Sequence, residues 1–285
     1  MEVKNAKTFT EQMAILKAKG CTIEDETGCL DVLASVNYYR LSAYFLPYRA
    51  DNHKFKDGTS FYTVYRSYEF DRKMREILWS IIGVIEINLR TRFAYYHAHK
   101  YGALGYMDQQ NYNNRHDHKG FLKNFQREVR QNKRVPFVRH HIDKYENNFP
   151  IWVAVELFSF GMLSRFYADM KRADQKALCK ELGHPTDKIL ASWLRCCTDL
   201  RNICAHYGRL YFRTFSACPA TAKGGEYTLG RDLFSYILML KRIYPFPNQW
   251  HKECAIHIID LVTEYMDEII LQHIGFPENW CDYIT

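Results

Sequence analysis

From Phe70 the apolar positions fall at Phe70, Met74, Ile77, Ile81, Val84, Ile85 and Leu89. This is the three–four spacing of one buried helix face. The same period covers roughly 9–19, 27–48, 117–145, 151–170, 186–213, 229–243 and 250–274. It is interrupted by turn chemistry: "DNHKFKDGTS" at 51–60, "YGALGYMDQQNYNN" at 101–114, "ENNFP" at 146–150, "GHPTD" at 183–187 and "CPATAKGG" at 218–225. Thr186 or Asp187 stands where a helix from 186 needs its cap. Alternating strand patterns are scarce, so the pattern predicts an all-α protein, with room for one or two short strands near 54–62. No repeat and no long linker divides the chain. The polar turn at 51–60 is the best boundary, separating a small N-terminal helical module, 1–58, from a larger helical domain, 59–285.

Composition adds a compartment and a partner class. The chain has 285 residues, 47% of them hydrophobic and 25% charged, enough for a substantial core in an ordinary globular protein. A net charge of +7 favours a polyanionic partner and says nothing of fold. The nine cysteines form no Cys-x-x-Cys pair, and most fall at core positions, including the adjacent Cys196 and Cys197. That usage predicts a reducing cytosol. "MEVKNAKTFTEQ" lacks the apolar core of a leader, and "ILWSIIGVIEINL" at 77–89 is too short for a bilayer and contains Glu86. The expectation is a cytoplasmic protein without a membrane partner.

Most catalytic signatures are missing. There is no G-x-G-x-x-G, no Walker lysine loop and no G-x-S-x-G elbow. His97 with His99, His116 with His118, and His140 with His141 are too few and too poorly spaced for a zinc site with three convergent ligands. No metal and no cofactor is expected. What remains is "RNICAH" at 201–206, where Arg201, Asn202 and His206 interrupt the apolar helix "ILASWLRCCTDLRNICAHYGRLYFR". The arginine-to-histidine spacing alone is cheap, since Arg92 to His97 and Arg134 to His140 match it too. Context separates them: Asn202 and His206 lie four apart on one helical face, and Arg201 is long enough to curl toward the same spot. A guanidinium grips a phosphate in a planar fork. An imidazole moves a proton near neutral pH. Together they suit RNA cleavage by the ribose 2′-hydroxyl without a metal. The competing reading is a surface arginine beside a structural histidine.

"LRNICAHYGRLYFR" closely resembles the signature of the HEPN superfamily, in particular its Abi family of bacterial abortive-infection proteins of the AbiD/AbiF type. Further blocks resemble the same family: "NYYRLSAYFLPYR" at 37–49, "FDRKMREILWSIIGVIEINLRTRFA" at 70–94, "FPIWVAVELFSFGMLSRFY" at 149–167 and "GFPENW" at 275–280. The resemblance implies a HEPN-like helical bundle and a metal-independent endoribonuclease that acts as a phage-defence toxin. It implies that Arg201 binds the phosphate, His206 transfers protons and Asn202 orients the histidine or contacts RNA. The expected products carry a 2′,3′-cyclic phosphate and a 5′-hydroxyl. Two copies of the motif usually meet in such proteins, so a homodimer with a composite site is implied. The family also leaves room for a non-catalytic RNA-binding or regulatory protein, and for a toxin held inactive by a small regulatory RNA or a protein antitoxin.

Secondary candidates surround this motif. Glu86 lies on an otherwise apolar stretch, where an unpaired carboxylate is expensive to bury. It is expected to pair with Arg90 one turn on, or with Arg201 across the core in support of the site. Arg92 to His97 is a candidate second motif that lacks the asparagine. Arg40, Arg49, Arg72 and Lys73 are candidate contacts to an RNA backbone.

Overall fold

A computed structural model describes residues 5–50, 53–224 and 227–285. About 66% of it is helical, and no strand forms among the described residues. Near 54–62, where a short strand was allowed, there are only isolated bridges, Arg49 with Phe55 and Thr22 with Ser60. The chain opens with α1 (Phe9–Ala18), α2 (Glu26–Ser35) and α3 (Tyr38–Ser42). The long α4 (Phe61–Tyr101) follows, then α5 (His118–Gln131), α6 (Pro136–Tyr145), α7 (Ile151–Ala154), α8 (Phe160–Asp169), α9 (Arg172–Glu181) and α10 (Asp187–Ala205). The last helices are α11 (Leu233–Ile243), α12 (Ile256–Glu264) and α13 (Trp280–Ile284).

The central element is α4, whose 41 residues extend about 60 Å. Ser60 caps its start by accepting a hydrogen bond from the Tyr62 amide, and Gly102 ends it at φ 81°, a conformation that favours glycine. The expected apolar face is largely buried, and it continues in both directions through Phe61, Val64 and Phe93. Helices α7, α8, α10, α11 and α12 all pack on α4. Each large side chain removed from water there contributes roughly 1.5–3 kcal/mol. The periodicity runs across five breaks: 27–48 is divided between α2, α3 and a short 3-10 turn, 117–145 between α5 and α6 at Pro136, and 151–170 between α7, a 3-10 turn and α8, while 186–213 stops at Ala205 and 250–274 is interrupted after Glu264. Proline at the first position of α6 lacks the amide needed to continue α5.

α10 carries the "RNICAH" motif and lies between α8 and α4, with Leu190, Trp193, Leu194, Cys197 and Leu200 fully buried. Thr186 caps it by accepting from the Ile189 amide at 3.2 Å. Beyond Ala205 the chain is tied to α4 by one carboxylate. Asp71, 1% exposed, accepts hydrogen bonds from the Leu210 amide (2.9 Å), the Tyr211 amide (2.6 Å) and the Tyr44 hydroxyl (2.6 Å), and it pairs with Arg75 one turn on. Burial pushes this carboxyl up, opposed by the Arg75 cation and the three donors. Arg75 also donates to the Gly208 carbonyl at 3.2 Å.

Removing one member of a buried ion pair leaves the other uncompensated, at a cost of about 3–5 kcal/mol. Asp71→Asn is therefore expected to lower the unfolding free energy by about that much, as measured by denaturant titration. A loss below about 1 kcal/mol, within the range of an exposed ion pair, would remove Asp71 from its place as the anchor.

Candidate functional site

The motif sits where α10 ends. The Gly208 amide donates to the Ile203 carbonyl (2.7 Å) and the Tyr207 amide to that of Cys204 (3.2 Å). This pair of bonds is the Schellman closure of a helix. The left-handed residue of that closure is usually glycine, and here it is Tyr207, at φ 55°. Gly208 follows because the turn leaves no room for a side chain: a Cβ there would lie 3.0 Å from Ile203 Cγ2 and 3.2 Å from its carbonyl oxygen. His206 is the capping residue itself, and Asn202, His206 and Tyr207 are all exposed. The strained turn is braced from outside, since Arg40 donates to the Tyr207 carbonyl and Arg209 to the Ala43 carbonyl.

Arg201 takes a different direction from Asn202 and His206. Its guanidinium lies over the Trp79 ring, 5.0 Å from the centroid, and its Nε is 4.0 Å from Glu86 Oε2. His206 is five positions after Arg201, which turns the two toward different sides of α10. Among the described residues no hydrogen bond joins Arg201 to Asn202 or His206, so the expected curl toward one spot does not occur within a single copy. The Arg201 side chain is 31% exposed, and its Nε–H has no hydrogen-bond partner. Glu86 satisfies both of its expected pairings: its other oxygen lies 2.5 Å from Arg90, which in turn donates to the Phe158 carbonyl at 2.8 Å.

Beside the turn opens a cleft of about 770 Å³ between α3, α4 and the end of α10. Arg40, Arg72, Arg75, Glu76, Trp79 and Tyr207 all line it. Trp79 and Tyr207 are 45% and 68% exposed. Cationic forks beside open aromatic faces suit a nucleotide, with arginine for the phosphate and a ring for the base. Of the four residues expected to contact a nucleic-acid backbone, Arg40 and Arg72 reach this cleft. Arg40 also holds the Tyr207 turn, and Arg72 pairs with Glu76 at 2.7 Å. Lys73 turns elsewhere, to Glu264 at 2.6 Å, and Arg49 lines a separate small cavity. Trp79 and Tyr207 escaped the sequence reading because aromatics at helical spacing are usually core. Tyr207 had the signal of standing next to His206, whereas Trp79, far from the motif in the chain, had none.

Arg92 and His97 build no second surface site. His97 is 1% exposed, sealed among Tyr101, Tyr112 and Phe166 with neither ring nitrogen hydrogen-bonded. Arg92 instead approaches Glu181 at 3.9 Å. Among the described residues no three His, Cys, Asp or Glu side chains converge as metal ligands. No helix among them is long and apolar enough to cross a membrane. All nine cysteines are free, and Cys196, Cys197 and Cys204 are buried members of α10.

The fold and site together define an all-α protein that displays an arginine–asparagine–histidine motif at a braced helix end. The family model described as "Abi-like protein" matches residues 31–212, nearly two thirds of the chain, and the chain belongs to that family. Membership ties it to abortive infection, a form of phage defence. The match ends at Phe212, directly after the motif, so the "GFPENW" block lies outside it. No curated protein and no solved structure matches the chain.

Burial lowers the His97 imidazole from 6.5 to about 4. The folded chain thus keeps a neutral ring where the unfolded chain takes up a proton. Stability is expected to fall as the pH drops from about 6.5 to about 4, by about 3 kcal/mol in total. Unfolding titrations across that range should show His97→Phe with a correspondingly flatter profile. Parallel profiles for the two proteins would contradict this account.

Proposed function

We propose that the chain is a metal-independent endoribonuclease of the HEPN type, acting in the cytoplasm as an abortive-infection toxin. The observation that carries this reading is the motif at the end of α10: His206 and Asn202 open to solvent, and Arg201 without a hydrogen bond, next to the arginine-lined cleft. Arg201 holds and polarises the scissile phosphate. The ribose 2′-oxygen attacks phosphorus, its proton passes to an imidazole, and the P–O5′ bond breaks as the departing oxygen takes a proton. The products carry a 2′,3′-cyclic phosphate and a 5′-hydroxyl.

That reaction needs a base and an acid, and one copy supplies a single His206 that makes no hydrogen bond with its own Arg201. Two copies supply two histidines, and the arginine of one can serve beside the histidine of the other, so the active species is a homodimer. The solvent side of α4 near Arg201 supports such a contact. Trp79, Ser80, Gly83, Ile87, Thr91 and Tyr95 follow one another along it without a charge. At Gly83 a Cβ would meet nothing within 4 Å, leaving room for a close neighbour. Glu86 and Arg90 position Arg201, and the 1–58 module acts as the brace that holds the Tyr207 turn through Arg40.

The divergence of Arg201 and His206 within one copy also favours a second reading: a non-catalytic RNA-binding or regulatory protein, or a toxin that a small RNA or protein antitoxin keeps from pairing. Purified chain should cleave RNA in EDTA to cyclic-phosphate ends, with His206→Ala slower by roughly 10²–10⁴-fold and folded as before. RNA binding retained in both proteins with no cyclic phosphate from either selects the second reading. EDTA-sensitive cleavage, or full activity in His206→Ala, refutes the mechanism.

A further inference from the structure

α5, the loop before it and α8 enclose a groove of about 420 Å³. Three arginines line it from three different elements: Arg115 from the loop before α5, Arg127 from α5 and Arg165 from α8. The side chains of Arg115 and Arg165 make no hydrogen bond or ion pair with any described residue, and Arg127 has only a 3.2 Å pair with its neighbour Glu128. Three like charges converging on one hollow repel each other unless an anion joins them. Asn124 and Ser159 add polar groups to the wall.

The two carboxylates in the wall offset part of this charge, and both are held by other partners. Asp117 is occupied in capping α5, accepting from the Gly120 amide at 2.9 Å. Asp169 is buried and joined to His116 Nδ1 (3.0 Å), whose Nε2 meets His118 Nδ1 (3.2 Å), while His118 Nε2 meets the Met107 carbonyl (2.9 Å). Three arginines against two carboxylates leave the wall with a net positive charge.

We infer that this groove is a second phosphate-binding site, taking the phosphodiester backbone of RNA that runs out from the motif. Its position points to RNA rather than to a free phosphate compound, because the groove adjoins the motif. A Cβ on Gly161, in the groove wall, would lie 3.5 Å from Thr198 Cγ2, and Thr198 is one turn before Arg201 on α10. The same wall begins at Phe158, whose carbonyl is held by Arg90 of the Arg201–Glu86–Arg90 ladder. The groove wall therefore touches α10 one turn from Arg201, within the path of a strand that follows α10 away from the motif. The choice of RNA rests on the nuclease reading above; the cationic groove does not.

The test uses the full chain carrying His206→Ala, so that a long single-stranded RNA survives the measurement, and reads its affinity by fluorescence anisotropy at several salt concentrations. Replacing Arg115, Arg127 and Arg165 together by alanine is expected to weaken binding roughly tenfold or more and to flatten the log–log salt slope by about 2. The same charge removed at the exposed Arg139, Lys144 and Lys188 should have little effect. Unchanged affinity in the arginine variant, or an equal loss in the control, overturns the inference, whatever small anions the groove accepts. Wild-type cleavage of a dinucleotide, too short to reach the groove, tests the motif alone. Dinucleotide cleavage with unaltered RNA affinity in the arginine variant sinks the groove and leaves the nuclease standing. A wild-type chain that neither binds nor cleaves RNA sinks both.

Discussion

The site depends on one buried carboxylate. Asp71 gathers the Tyr44 hydroxyl, the Arg75 guanidinium and the amides of Leu210 and Tyr211, so a single side chain on α4 fixes α3, its own helix and the segment after the motif. Two backbone amides that would otherwise need water are satisfied inside the protein. A lone carboxylate could not remain there, and neither could Arg75, 5% exposed, without it. Each makes the burial of the other tolerable, and the chain after α10 has one path as a result.

That path gives the motif its shape. Because residues 208–211 are held against α4, α10 must end abruptly, and the left-handed turn falls on Tyr207 instead of a glycine. The strain is small, on the order of 1–2 kcal/mol, and Arg40 and Arg75 offset it by binding the carbonyls of Tyr207 and Gly208. What results is an exposed histidine at a rigid helix end, next to an exposed tyrosine on the rim of the cleft. If RNA is the ligand, as proposed above, preorganisation of this kind orders the groups that touch it before it arrives.

Much of this was legible in the residues. The apolar face of α4, the Thr186 cap, the buried thiols of α10 and the pairing of Glu86 with Arg90 follow from spacing and from the cost of burying a charge. The end of α10 was misjudged because "YGRLYFR" keeps a helical period past the stop. Its glycine was the signal, standing one place after the left-handed residue rather than at it. Arg201 was expected to lean toward His206, whereas Trp79 and Glu86 draw it to α4. Nothing in a linear pattern says which neighbouring helix brings an aromatic face and a carboxylate within reach.

By itself, the sequence determined the helical class and the central amphipathic helix, because these follow from local period and side-chain chemistry. Only the tertiary structure decided which arginines share a hollow, which histidine is sealed and which is open, and that Arg201 and His206 part company within one copy. Those outcomes depend on contacts between residues distant in the chain, such as Asp71 with Tyr211 and Arg40 with Tyr207. Local spacing carries no information about them, since the same period fits a helix whether its polar side meets water, a neighbouring helix or a second chain.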